Sequence, residues 1–133
     1  MLFLDTSAIV SYKREEEDTV SYLEGNEPWF TSTISIYEFV EGAMWQDGVT
    51  AHVARQSIGG VNSIELSETV AMQAARMQNE LRGTGDEMPV RDLLIAATAR
   101  STGAELVVAD SDFQTGVLEN VMQVTNLAER SVK

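Results

Sequence analysis

The sequence contains no cysteine and a single histidine, His52, among its 133 residues. Disulfide bonds, thiolate catalysis and thiolate metal sites are therefore excluded, as is a zinc centre built from several histidines. Long apolar runs are also absent, because the longest, Leu93 to Ala99, is far too short to span a bilayer. The segment Met1 to Asp5 lacks the basic and apolar regions of a signal peptide, so we expect a cytoplasmic protein.

Lysine is scarce as well. Only Lys13 and Lys133 are lysines among nine basic residues, and 21 acids give a formal net charge of −12. An acidic, lysine-poor surface indicates adaptation to a salty, halophilic cytosol, where salt screens charge repulsion; an acidic mesophilic protein is the alternative. The shortage of positive charge argues against a nucleic-acid partner, but this rule weakens at high salt, where counterion release contributes little to affinity.

Apart from these shortages, the composition is that of an ordinary globular domain, with 44% hydrophobic and 23% charged residues. No repeat, low-complexity segment or long linker divides the chain, so we expect one domain over residues 1–133. A chain of this length can bury about two-thirds of its unfolded surface in one core.

Turn signals and apolar periodicity predict strands and helices in alternation. The predicted strands are Leu2 to Leu4, Trp29 to Thr31, Val61 to Leu66, Glu105 to Ala109 and Val121 to Thr125. The predicted helices run through Ala8 to Tyr12, from Glu15 to Gly25, Ser32 to Trp45, Ala51 to Gln56, Ser67 to Gly83 and Pro89 to Gly103. This order predicts an α/β fold with a parallel sheet covered on both faces, whose sites form beyond the carboxyl ends of the strands.

Four acids lie in otherwise apolar neighbourhoods: Asp5, Glu38, Asp92 and Asp110. Carboxylates are rarely buried unless they are paired or bound to a cation. Together these acids therefore indicate a site at which a cation offsets their mutual repulsion.

Each acid also has a structural interpretation. Asp5 can be a cap before the first helix, Glu38 a solvent-facing charge on an amphipathic helix, and Asp110 a turn residue, as Asp112 is more plainly. Asp92 fits such an interpretation less well, because Ile95, Ala96 and Ala99 place it on the apolar stripe of its helix.

Four segments together resemble the PIN domain, specifically the VapC-type toxins. They are Leu4 to Ser7, Tyr37 to Gly42, Asp92 to Ala99 and Ala109 to Phe113, and the resemblance covers nearly the whole chain. It implies a PIN-like three-layer fold, with a central parallel sheet of about five strands between helices. It also implies a metal-dependent endoribonuclease that cleaves RNA phosphodiester bonds.

The resemblance carries the family's metal-binding acids onto this chain. The corresponding residues are Asp5, Glu38, Asp92 and Asp110, with Asp112 as a further catalytic candidate because the fourth motif varies. Thr6 and Ser7 match the polar positions that orient the first acid, whereas Ala109 stands where many relatives carry a hydroxyl. The family's usual partners are RNA as substrate, a cognate antitoxin and a second copy in a homodimer.

The acids also indicate a metal-dependent chemistry independently of the family resemblance. Oxygen ligands without histidine or cysteine suit Mg²⁺ or Mn²⁺, which can hold a scissile phosphate and activate water. Asp110 or Asp112 is a candidate general base if one stays outside the metal's ligand shell.

Arg91 and the pair Lys13-Arg14 can bind phosphate or form surface ion pairs. Trp29, Trp45 and Met44 can form an apolar contact surface or belong to the core.

Two other function classes remain. An Asp-based receiver or phosphotransferase domain would use Asp5 as phosphoacceptor, but receivers carry an acidic pair after the first strand and a lysine near the fifth, and both are missing. The haloacid-dehalogenase pattern fails because Ser7, not an acid, lies two residues after Asp5. A non-catalytic PIN-like binding module is the other class, although such modules tend to lose acids that this chain keeps.

Overall fold

The computed structural model describes residues 1–128, in which five strands and seven helices follow one another along the chain. The elements are β1 (Leu2–Leu4), α1 (Thr6–Lys13), α2 (Glu17–Leu23), β2 (Trp29–Ser32), α3 (Thr33–Asp47), α4 (Ala51–Gln56), β3 (Val61–Ile64), α5 (Glu68–Gly83), α6 (Val90–Thr102), β4 (Glu105–Val108), α7 (Thr115–Leu118) and β5 (Val124–Asn126). The strands form one sheet of order β3-β2-β1-β4-β5 in which every neighbouring pair is parallel. The predicted five-stranded parallel α/β fold is confirmed.

The strand order reverses direction at the centre of the sheet. From β1 the chain moves outward to β2 and β3, and then returns to the other side of β1 to form β4 and β5. In open parallel sheets, ligands bind in the crevice at such a reversal, outside the carboxyl ends of the strands. Asp5 follows β1 directly, and Asp110 lies just beyond the end of β4.

Each face of the sheet has its own hydrophobic core. Side chains alternate between the faces of a strand, so Phe3 enters one core while Leu2 and Leu4 enter the other. The Phe3 core packs against α5 and α6, and the opposite core against α1 and the end of α2. Residues of β1 are no more than 4% exposed, which is the burial expected of a central strand covered on both faces.

Two helix boundaries follow the signals in the sequence. Ser67 caps α5, since its hydroxyl accepts a hydrogen bond from the Val70 N–H at 3.2 Å. Gly103 ends α6 with a left-handed φ of 75°, a conformation that glycine adopts without steric cost. Pro89 precedes α6 as its N-cap residue instead of entering the first turn. None of the helices within residues 1–128 is long and apolar enough to cross a membrane.

Other boundaries differ from the prediction. The second helix begins at Glu17, because Glu15 has a φ of 59° and cannot belong to a right-handed helix. The last strand begins at Val124 instead of Val121, because the N–H groups of Val121 and Met122 both donate to the carbonyl of Leu118. That carbonyl belongs to α7, a short helix that the sequence analysis missed. The third strand stops at Ile64, two residues before the predicted end.

Candidate active site

Asp5 lies at the carboxyl end of β1 and is almost completely buried, with its side chain 3% exposed. Its carboxylate accepts a hydrogen bond from the Ser7 N–H at 3.2 Å, so Asp5 is the N-cap of α1. The capping interpretation is therefore correct, but it does not account for the second oxygen. Oδ1 faces the guanidinium of Arg91, whose Nη2 lies 3.4 Å away.

Arg91, at the start of α6, joins acids from three parts of the fold. Its Nε and Nη2 donate to the two carboxylate oxygens of Glu38, each at 2.5 Å, and its Nη1 donates to Asp92 at 2.5 Å. With Asp5, three carboxylates surround one cation. The pKa of Arg91 is raised, chiefly by the hydrogen bonds to Glu38, against the opposing effect of burial.

Glu38 projects from α3 toward this cluster, so its interpretation as a solvent-facing charge is wrong. Its side chain is 29% exposed, and the Thr6 hydroxyl donates to Oε1 at 2.5 Å. The hydrogen bond from Arg91 is the main reason that the pKa of Glu38 is lowered, while burial acts in the opposite direction. The carboxylate form is thus favoured at this position.

Asp92 lies in the first turn of α6, on the face that packs against the sheet. Ile95, Ala96 and Ala99 on this face are fully buried, as the apolar stripe predicted. Burial raises the pKa of Asp92, Arg91 opposes this, and the charges of Asp5 and Asp110 raise it further. Asp110 is therefore close enough to Asp92 for its charge to act on it.

The loop after β4 holds Asp110 and Asp112 differently from the other acids. Both side chains are exposed, and the carboxylate of Asp110 accepts a hydrogen bond from the Asp112 N–H at 2.9 Å, as in a turn. Asn126, which the sequence analysis missed, donates to the carbonyl of Asp110 at 2.7 Å and to the Thr115 hydroxyl at 3.0 Å. The charge of Asp110 contributes to the raised pKa of Asp92, but within residues 1–128 neither Asp110 nor Asp112 forms an ion pair with Arg91.

Ser7 links the ends of the two central strands. Its hydroxyl donates to Oδ2 of Asp5 at 2.8 Å and accepts a hydrogen bond from the Ala109 N–H at 2.9 Å. Ser7 therefore orients Asp5, as its position in the motif implied. Thr6 has a different partner from the one expected, since its hydroxyl donates to Glu38.

Residues 2–115 match the PIN domain family. The chain belongs to this family. Its fold is similar to a toxin–antitoxin complex from Klebsiella pneumoniae, with 19% identity, a TM-score of 0.76, and coverage of 95% of this chain and 97% of that one. FitAcB from Neisseria gonorrhoeae is similar with 24% identity and a TM-score of 0.74, over 95% and 97% of the two chains. Mycobacterium tuberculosis VapC20, described as a Sarcin-Ricin loop cleaving toxin, has 21% identity and a TM-score of 0.62, over 87% and 95%. No curated protein matches the sequence.

The acids of this PIN domain have the right chemistry for a hard divalent cation. Asp5, Glu38 and Asp92 supply only oxygen atoms, the donors that Mg²⁺ and Mn²⁺ prefer. Across residues 1–128, however, no three acidic or histidine side chains are arranged as they stand to hold a metal ion. A guanidinium is larger than Mg²⁺, whose ligands lie about 2.1 Å away, so acids grouped around Arg91 are spaced too widely for it.

The PIN domain has a cleft that reaches one acid of the cluster, Glu38. It encloses about 530 Å³ and is lined by Lys13, Arg14 and Glu38, among others. The Lys13 ammonium donates to the carbonyl of Ser57 at 3.1 Å, which holds this positive charge at the wall of the cleft.

A larger groove of about 750 Å³ lies between α3 and α4, away from the acid cluster. Its lining includes Tyr37, Met44 and Trp45, which are 69%, 44% and 85% exposed. Trp29 is not part of such a surface, because its ring packs edge-on against Tyr12 at 5.1 Å and its indole N–H donates to the Leu23 carbonyl at 3.0 Å. Of the apolar contact residues considered from sequence, Trp45 and Met44 are exposed and Trp29 is not.

Gln78 fixes the segment that leads into the site, a role that no pattern in the sequence indicates. From α5, its amide donates to the Met88 carbonyl at 2.7 Å and accepts a hydrogen bond from the Met88 N–H at 3.1 Å. Both polar backbone groups of Met88, its N–H and its carbonyl, are thereby satisfied inside the protein. This contact sets the position of the first turn of α6, which carries Arg91 and Asp92.

Proposed function

We propose that the protein is a metal-dependent endoribonuclease and the toxin of a toxin–antitoxin pair, with residues 1–133 acting as one PIN domain. The convergence of Asp5, Glu38 and Asp92 at the reversal point of the sheet carries this proposal. Family membership supports it, as does a fold shared with proteins described as a toxin–antitoxin complex and as a Sarcin-Ricin loop cleaving toxin.

In this proposal Asp5, Glu38, Asp92 and Asp110 would hold Mg²⁺ or Mn²⁺. The metal would neutralise charge on the scissile phosphate and make an attacking water more acidic. Ser7 and Thr6 keep Asp5 and Glu38 oriented through hydrogen bonds, as partners of metal ligands commonly do.

The exposed loop supplies the proton acceptor. Asp112, or Asp110 where it stays outside the metal's ligand shell, serves as general base, because both carboxylates face solvent and can accept a proton from water. Lys13 and Arg14 attract the RNA backbone along the 530 Å³ cleft, which also contains Glu38. The cleft therefore leads phosphate groups toward the acids.

A cognate antitoxin and a second copy of the chain are the proposed protein partners. The exposed apolar groove between α3 and α4, with Tyr37, Met44 and Trp45, supports the presence of a protein contact on this side of the molecule. We place the activity in a halophilic cytoplasm, because a net charge of −12 is best tolerated at high salt and RNA is the substrate.

The test is cleavage of total RNA by the purified protein in high potassium chloride with Mg²⁺ or Mn²⁺. We expect cleavage that EDTA abolishes and that falls by roughly 100-fold in Asp92→Asn, since even the partners of metal ligands contribute 10–100-fold. Asp18→Asn is the matched control, because Asp18 is an exposed aspartate in the first turn of another helix, α2.

Equal cleavage by the wild type and Asp92→Asn would indicate a contaminant or a wrong site. No cleavage by folded protein free of inhibitor would overturn the proposal and favour a non-catalytic binding module. Cleavage that survives EDTA would remove the metal from the mechanism.

A further inference from the structure

Arg91 occupies the place among the acids that a metal ion would need. Its guanidinium contacts Asp5, Glu38 and Asp92, and it is the one basic side chain within residues 1–128 that forms ion pairs with all three. Two of its nitrogens bind the two oxygens of Glu38 in parallel, the geometry in which arginine and a carboxylate pair most strongly. The two Glu38 oxygens cannot form this parallel pair with Arg91 and coordinate a metal ion at the same time.

The guanidinium of Arg91 is also held from the other side of the cluster. The Thr6 hydroxyl accepts a hydrogen bond from Nη2 of Arg91 at 3.2 Å while it donates to Glu38. The arginine is therefore held in a closed hydrogen-bonded network and not merely attracted to a negative surface. Without a cation, three carboxylates from three elements would repel one another in a half-buried site.

We propose that Arg91 competes with the divalent metal for Asp5, Glu38 and Asp92, so that the metal binds only when the arginine side chain leaves them. The inference rests on the proposed function, because it concerns the same site. Arg91 stabilises the metal-free protein, and its departure sets the metal concentration at which the nuclease becomes active. The side chain is 38% exposed, so it can swing out into solvent without unfolding α6.

Metal affinity measured without any RNA tests this competition. Mn²⁺ binding is followed by titration calorimetry on the full chain for the wild type, Arg91→Met, Arg91→Lys and Arg76→Met. Arg76 is an exposed arginine in the middle of α5 and controls for the loss of one positive charge. Because charge-assisted hydrogen bonds are among the stronger contacts in proteins, we expect the Mn²⁺ dissociation constant of Arg91→Met to be roughly tenfold lower than that of the wild type.

The Arg91→Lys variant tests whether the effect on metal affinity depends on the hydrogen bonds of the arginine or only on its positive charge. Lysine keeps the charge but cannot form the parallel pair with Glu38, so we expect an affinity between those of the wild type and Arg91→Met. A Mn²⁺ affinity of Arg91→Lys equal to that of the wild type would reduce the effect to long-range charge and overturn the competition.

A measurement on the wild type avoids any folding defect of the variants. The Nε–H of Arg91 donates to Glu38, so its NMR signal, assigned by its loss in Arg91→Lys, is expected to be protected from exchange in metal-free buffer. Saturating Mg²⁺ should shift or remove this signal. An unchanged signal at saturation overturns the inference.

The outcomes distinguish this inference from the proposed function. Equal Mn²⁺ affinity in the wild type and Arg91→Met, together with metal-dependent RNA cleavage, overturns the competition and leaves the nuclease intact. No Mn²⁺ binding by any variant at millimolar concentration overturns both the competition and the metal-dependent part of the proposed function.

Discussion

The hydroxyl of Thr6 donates to Oε1 of Glu38 at 2.5 Å and thereby joins the first residue of α1 to a carboxylate on α3. The two residues are 32 positions apart, and only the parallel arrangement of β1 and β2 brings the helices that follow them together. Glu38 is thus held by two residues, Thr6 and Arg91, that hydrogen-bond to the same oxygen. This arrangement explains why Glu38, although it lies on an amphipathic helix, faces the acid cluster and not the solvent.

Thr6→Val should lower the rate of RNA cleavage by about 10-fold to 100-fold, the usual effect of removing a partner of a metal ligand. Valine has the shape of threonine and is also β-branched, so α1 should form as before, and only the two hydrogen bonds of the hydroxyl, to Glu38 and from Arg91, are lost. Initial rates at saturating Mg²⁺ measure the effect. Thr6→Ser keeps the hydroxyl and should restore most of the rate; equal activity of the valine and serine variants would show that the hydroxyl has no role in cleavage.

Gln78→Leu should lower the free energy of unfolding by about 1–3 kcal/mol, because the buried peptide groups of Met88 lose their partner. RNA cleavage should fall as well, since the first turn of α6 carries Arg91 and Asp92. Urea unfolding measures the first effect and initial rates the second. Gln73→Leu, on the same helix, is the control, since the Gln73 side chain makes no hydrogen bond among the described residues. Similar losses in both variants would contradict a specific role for Gln78.

Gly103→Ala and Gly42→Ala should change stability in opposite directions. Gly103 has a φ of 75°, where alanine costs about 1 kcal/mol, so this variant should unfold at lower urea concentration. Gly42 lies inside α3 with nothing within 4 Å of an added Cβ, so alanine there should gain up to about 1 kcal/mol from helix propensity. The midpoints of urea unfolding measure the stability change in each variant. A shift of the same sign in both variants would refute the conformational argument at Gly103.

The sequence predicted the architecture because its signals are local. The alternation of apolar segments with capped helices requires no knowledge of distant contacts, and Ser67 and Gly103 mark helix ends through their own conformational preferences. The position of Asp5 beside the end of β4, where Ser7 links its carboxylate to the Ala109 N–H, was also accessible, because the carboxyl ends of parallel strands lie at one edge of a sheet. Family resemblance and local chemistry therefore pointed to the same acids.

The missed features depend on tertiary contacts. Arg91 was recognised as a phosphate-binding or ion-pair candidate, but its pairing with Glu38 joins residues 53 positions apart and follows only from the tertiary fold, which brings the first turn of α6 to a side chain of α3. Asn126 carries no sign in the sequence that it will support the Asp110 loop. The start of β5 was misplaced because Val121 and Met122 have strand-like side chains, whereas their N–H groups close the turn after α7.

The titration of Glu38 and Asp92 in metal-free protein should show pKa shifts of opposite sign. Hydrogen bonding to Arg91 lowers the pKa of Glu38, whereas burial raises the pKa of Asp92. Carboxyl ¹³C chemical shifts followed against pH should place each midpoint on the corresponding side of its ordinary value. In Arg91→Met the pKa of Glu38 should rise, because its main cause of depression is removed; an unchanged midpoint would contradict the ion pair.

The same two shifts have opposite consequences for stability. The depressed pKa of Glu38 means that its contribution to folding is present above the ordinary glutamate pKa and is lost as the pH falls through the folded-state value. The raised pKa of Asp92 means that its charged form opposes folding, and this opposition is relieved as the pH falls and the group becomes protonated. Urea unfolding of Arg91→Met should therefore show a smaller loss of stability on acidification than the wild type, since Glu38 then has less stabilisation to lose.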